Sequence, residues 1–137
     1  MQEQAEKSAA QAESVLAVQV TAMRLESQDV LSIELRHTED RGLPPASPGA
    51  HVDGHLAAGV TRPYSVVSGG EGIYVLAVKR ETGSRGGSSY VHDRLRVGDV
   101  IQVSAPRNQF ALADHDGPSL LVAGGIGITP LLPMAKA

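Results

Sequence analysis

Along most of this chain apolar and polar residues alternate one for one. Leu16, Val18, Val20 and Ala22 interleave with Ala17, Gln19 and Thr21, and then Leu31, Ile33 and Leu35 interleave with Ser32, Glu34 and Arg36. A period of two sends successive side chains to opposite faces, so each stretch predicts a half-buried β-strand, with residues 27–29 as the turn between them. Residues 37–49 hold three prolines and two glycines and predict a surface connection. Residues 50–56 predict a third strand. Residues 61–68 predict a fourth, because Pro63 pushes Arg62 out of the helical region. After a glycine-rich turn, residues 73–80 are apolar on both faces until Lys79 and Arg80, which predicts a strand buried on both sides with a charged end at a rim.

Beyond this the pattern changes. Ser88 and Ser89 precede a short helical run at 90–95 and predict a serine N-cap. Residues 100–105 alternate again, with Ile101 and Val103 opposed to Val100, Gln102 and Ser104, and predict a sixth barrel-type strand. Residues 119–123 form a continuous apolar run ending at Gly124 and Gly125, which predicts a parallel strand entering a nucleotide-binding turn. Pro130 suits the first turn of a following helix. Residues 1–14, rich in Gln, Glu and Ala, predict a frayed polar tail.

Composition narrows the classes. At 137 residues the chain accommodates one core, and with one Phe, three Tyr and no Trp that core is aliphatic, which favours strands. A net charge of −3 with scattered basic residues gives no footprint for nucleic acid. No cysteine is present, so neither disulfides nor a thiolate-held iron–sulfur cluster can form within these residues. No apolar run approaches the ~20 residues that span a bilayer, and the N-terminus lacks the order of a secretion signal, so a cytoplasmic location is expected.

Candidate chemistry gathers in three segments. Arg62, Tyr64 and Ser65 offer a phosphate clamp, a stacking plate and a hydrogen-bonding group on one short extended rod. Gly83 to Ser89 form a glycine-rich loop opening a helix, a natural anion seat with Arg62, Lys79, Arg80 and Arg85 as candidate neighbours. A separate candidate is His51, Asp53 and His55, which share a strand face at i, i+2, i+4 as metal ligands can; a solvated polar face accounts for them equally.

The motifs Arg62-Pro63-Tyr64-Ser65, Ala77-Val78-Lys79-Arg80, Arg85-Gly86-Gly87-Ser88 and Gly124-Gly125-Ile126-Gly127-Ile128-Thr129-Pro130, in that order, resemble the ferredoxin-reductase superfamily of flavoproteins, and within it the phthalate dioxygenase reductase and vanillate demethylase reductase group. The resemblance implies a six-stranded antiparallel Greek-key barrel with one short helix, over residues 15–113, followed at 114–137 by the first strand and turn of an incomplete α/β NAD-binding domain. It implies a flavin across the barrel rim, with Arg62 at the phosphate, and Tyr64 and Ser65 at the ring. It implies that Ala77, Val78 and Lys79 line the flavin, that Gly86, Gly87 and Ser88 meet the phosphate, and that Thr129 approaches from the nucleotide side. FMN is the cofactor expected, with FAD the alternative.

A complete relative would go on to a nicotinamide site and a ferredoxin domain, whereas the βαβ unit that uses such a turn needs ~30 residues and about half are present. The chain is therefore expected to be a flavin module truncated after the barrel. It would belong to an NAD(P)H-dependent oxidoreductase that passes electrons to an iron–sulfur or oxygenase partner, with no acid, base or nucleophile among its side chains. The alternatives are a cofactor-free structural or interaction fragment, pairing through the apolar run at 120–122, and a metal protein built on His51, Asp53 and His55.

Overall fold

A computed structural model describes residues 15–56, 59–68, 72–83, 86–113 and 116–136. The expected tail at 1–14 and Arg85 lie outside these residues. Six strands appear in the predicted order: β1 Val15–Ser27, β2 Val30–His37, β3 His51–His55, β4 Thr61–Ser68, β5 Ile73–Lys79 and β6 Val100–Ser104. Helix α1, Gly87–Asp93, lies between β5 and β6, and α2, Ile128–Ala135, follows the barrel. The strands close in the order β1-β2-β5-β4-β3-β6, with every neighbouring pair antiparallel. This non-sequential order is that of a Greek-key barrel.

The interior is filled by inward-facing residues of all six strands, including Val18, Val20, Ile33, Leu35, Val52, Val66, Tyr74, Leu76, Val78, Ile101 and Val103. Val91 and Leu95, on and just after α1, join the same cluster. Fully burying each of these aliphatic side chains contributes about 1.5–3 kcal/mol, which is how a chain so poor in aromatics holds a single core. Tyr74, the largest fully buried side chain, donates its hydroxyl to the Pro44 carbonyl and so ties the β2–β3 connection to β5.

Four local expectations are corrected. Ala22 faces out and Met23 packs toward the core, because the β1–β2 register shifts between Val20 and Ala22 and an extra residue flips the side-chain phase. The outer face of β5 is half-buried, not sealed: Ile73, Val75 and Ala77 keep intermediate exposure. The helix is capped by Gly86 in the left-handed region, at φ 102°, without a side-chain cap; Ser88 lies inside the helix and its Oγ accepts the Glu81 amide at 3.0 Å. Residues 119–123 form no strand: with no paired neighbour among the described residues, Leu120 is 88% and Val122 79% exposed. The turn that follows does lead into α2, with Pro130 in its first turn as expected.

Candidate functional site

An open hollow of about 680 Å³ lies where β4, the end of β5, α1 and the approach to α2 meet. Its wall includes Arg62, Tyr64, Ser65, Ala77, Val78, Lys79, Ser88 and Thr129, so eight of the ten residues singled out above border one space. Gly86 and Gly87 do not line it, but Gly87 packs against Arg62, which does. A Cβ added to Gly87 would sit 2.7 Å from Arg62 Cγ and 3.2 Å from Nε, so the helix start and the arginine stem are in direct contact.

Each side chain arrives by a different route. β4 pairs with β3 over its first five residues, which holds Arg62 opposite Gly54 and Tyr64 opposite Val52. Gly54 gives the Tyr64 ring its place, because a Cβ there would stand 3.2 Å from the ring. Arg62 Nη1 donates to its neighbour's carbonyl, Thr61 O, at 2.8 Å. At β5, Val78 turns its side chain into the core, so its backbone faces the hollow, while Ala77 and Lys79 present the opposite phase.

Helix α1 is pinned to this end of β5 at three points. Arg80 grips the Asp93 carboxylate with two nitrogens, one at 3.1 Å; His92 Nε2 lies 2.8 Å from the Val78 carbonyl; and Ser88 Oγ accepts the Glu81 amide. The Arg80 guanidinium holds the Asp93 carboxyl below its ordinary range. Because the Ser88 oxygen accepts from Glu81, its own hydroxyl proton remains to be donated elsewhere. Thr129 is different: its hydroxyl donates to the Ile126 carbonyl at 3.0 Å, which leaves only acceptor capacity toward the hollow.

Two features mark the hollow as a binding surface. Among its described charged residues, Arg62 and Lys79 outnumber Glu81, so it favours an anion. The Tyr64 hydroxyl is buried without a hydrogen-bond partner, and burial, only partly opposed by the Arg62 charge, pushes its pKa up. An orphaned buried hydroxyl costs about 1–3 kcal/mol, and with that oxygen shut off it is the Tyr64 ring that lines the hollow.

Pro63, Glu81, Ile126, Gly127 and Pro130 also line the hollow and were not singled out from the sequence as contacts. The signal for Ile126, Gly127 and Pro130 was their membership in the glycine turn; for Glu81 it was its place just past the charged end of β5. A second hollow of about 440 Å³ adjoins the first across Pro63, Tyr64, Ser65 and Pro130 and is bounded by His51, Gln109 and Phe110. The three residues weighed as metal ligands have other engagements: Asp53 pairs with Arg107, His55 Nδ1 lies 3.0 Å from Thr61 Oγ1, and His51 borders the second hollow. Among the described residues no group of three His, Cys, Asp or Glu is placed to hold an ion, and no helix is long and apolar enough to cross a membrane.

No family model matches the chain. It is 47% identical over 124 residues to a vanillate O-demethylase oxidoreductase from Pseudomonas sp. (strain HR199 / DSM 7063), a match that covers 89% of this chain and 39% of the relative. A solved phthalate dioxygenase reductase, described as a modular structure for electron transfer from pyridine nucleotides to [2Fe-2S], superposes with a TM-score of 0.86 at 38% identity, over 92% of this chain and 40% of that one. The flavohem-like FAD/NAD-binding domain of a nitric oxide dioxygenase from Vibrio cholerae superposes with a TM-score of 0.78 at 26% identity, over 87% of this chain and 54% of that one. The chain thus spans about two fifths of the curated relative's length.

Proposed function

Because the chain belongs to the ferredoxin-reductase-type family, in the group of phthalate dioxygenase reductase and vanillate O-demethylase oxidoreductase, we propose that its barrel is the flavin-holding module of an electron-transfer reductase and takes FMN in the larger hollow. The observation that carries this reading is that Arg62, Tyr64, Lys79 and Ser88 line one hollow while the Arg62 stem rests against Gly87 at the start of α1.

The residues present fit such a ligand. Arg62 offers a planar fork to phosphate oxygens, Lys79 adds a point charge, and the free proton of Ser88 donates to the same anion. Gly86 and Gly87 carry no side chain that would keep a phosphate from the helix start. Tyr64 supplies an aromatic ring, and Ser65, Ala77 and Thr129 line the same hollow. When bound, the flavin supplies the chemistry of exchanging a two-electron for a one-electron transfer, so these side chains have the tasks of binding, orientation and charge compensation, and none is assigned as an acid, base or nucleophile. FMN is the flavin of this reading, with FAD as the alternative. In the same reading NAD(P)H is the electron donor, an iron–sulfur or oxygenase protein the acceptor, and residues 114–137 the beginning of the nucleotide-binding unit. A cofactor-free interaction fragment is the second reading, and the exposure of Leu120 and Val122 favours it.

Titration of the purified chain with FMN, FAD and riboflavin tests this directly. Tight uptake of FMN with flavin absorbance is expected. Arg62→Ala is expected to weaken FMN by about 1.5–3 kcal/mol, the scale of a charge-assisted hydrogen bond, and to leave riboflavin unchanged. A chain that stays colourless at saturating FMN refutes the flavin reading; equal FMN affinity in Arg62→Ala refutes only the arginine's assignment.

A further inference from the structure

Gly87 has a feature that ligand contact alone does not account for. It is buried in the first turn of α1, its φ is not positive, and the three heavy atoms nearest a Cβ built there all belong to Arg62: Cγ at 2.7 Å, Nε at 3.2 Å and Cδ at 3.3 Å. The backbone therefore accommodates alanine without strain, and alanine is the better helix former. What excludes a side chain is the stem of one arginine. That stem is fixed at both ends, by the β4 backbone paired to Gly54 and by the guanidinium bonded to the Thr61 carbonyl. A Cβ at 87 requires Cγ to retreat from 2.7 Å to at least the 3.4 Å at which ordinary contact begins. Retreat at Cγ swings the far end of the side chain through a longer arc, because the guanidinium lies at the end of the lever.

We propose that Gly87 is a positioning residue for Arg62: its missing side chain is a notch that seats the arginine stem and aims the guanidinium at the anionic group of the ligand. The inference rests on the reading that the hollow takes a phosphate-bearing flavin. It gives Gly87 a task separate from close backbone approach, since the partner it serves is a side chain on β4.

The test is a set of FMN and riboflavin titrations and ligand-free melts on the chain, Gly87→Ala, Arg62→Ala and the double variant. For Gly87→Ala the FMN Kd is expected to rise about 5- to 50-fold, up to the loss seen in Arg62→Ala, while riboflavin binding stays within about 2-fold and the melting temperature does not fall. In the Arg62→Ala background, adding Gly87→Ala is expected to change neither ligand's Kd, the non-additivity of two residues acting through one group. Unchanged FMN binding in Gly87→Ala overturns the proposal, as does an equal loss for FMN and riboflavin. If Gly87→Ala fails to fold, the double variant must recover the fold, because the clashing stem is gone; failure to recover overturns the notch. A parent chain that does not distinguish FMN from riboflavin overturns the phosphate reading and the notch with it, whereas a parent that distinguishes them beside an indifferent Gly87→Ala overturns the notch alone.

Discussion

Tyr64→Phe removes a single oxygen, and the structure separates its effect on the fold from its effect on a ligand. The hydroxyl is buried and has no hydrogen-bond partner. Leaving such a group unsatisfied costs about 1–3 kcal/mol, so deleting it stabilises the ligand-free chain by about that amount while the ring keeps its place beside Gly54. In a chain of this size each kcal/mol moves Tm by roughly 3–6 °C. Because that oxygen is shut off from the hollow, a ligand there meets the ring and not the hydroxyl, so FMN affinity is expected to stay within about 2-fold. Paired ligand-free melts and FMN titrations measure both quantities on the same two proteins. A ligand-free Tm that falls in Tyr64→Phe refutes the orphaned-hydroxyl argument; a loss of FMN affinity of about 5-fold or more refutes the reading that the oxygen is shut off from the hollow.

Two further outcomes follow from the barrel itself. Burial pushes the Tyr74 pKa up to about 12, against about 10 for an exposed phenol, and its neutral hydroxyl donates to the Pro44 carbonyl. A pKa raised on folding gives stability that is whole below pH ~10 and is lost as the pH climbs toward 12, so urea midpoints are expected to fall across that window and Tyr74→Phe to flatten the fall. Leu120→Ser, at a site 88% exposed, is expected to change urea stability by less than about 0.5 kcal/mol, while Leu76→Ala in the core costs about 2–5 kcal/mol; a large effect at 120 contradicts its unpaired state.

The sequence pattern and the structure agree best where the deciding forces are local. Pro63 and the alternation around it define β4 at the predicted 61–68, and the paired apolar phases of residues 31–35 define the inner face of β2. Disagreement arises where a partner decides. Ala22 turns outward because β1 slips against β2, and no single-strand pattern encodes a slip relative to a neighbour. Ser88 reads as a cap from its neighbours alone, yet its hydroxyl is taken by Glu81 across the loop, and Gly86 turns the chain into the helix instead. The run at 119–123 has the composition of a buried strand, but a strand exists only when another lies beside it.

The candidate site shows the same division. Arg62, Tyr64, Lys79 and Ser88 were legible because their chemistry is written in adjacent letters. Glu81 was not, because its place on the wall depends on how β5 leaves the barrel. Val78 was legible as a position, but its side chain serves the interior.

β3 is joined to β6 by only two paired positions, Gly54 with Val103 and His55 with Gln102, against eight for β1 and β2. The short junction is reinforced by the His51–Arg107 bridge, the Asp53–Arg107 ion pair and the Asp53 amide donating to Ser104 Oγ. Thermal breathing of a closed cylinder concentrates at its less-stitched seams, and β4, on which Arg62 and Tyr64 are hung, is itself joined to β5 at only two of the described positions, Val66 with Leu76 and Ser68 with Val75. Opening there lets the β3–β4 wall swing while the β1–β2–β5 side holds its shape, so an occupant that touches both β4 and β5 acts as a clasp across that line of the barrel.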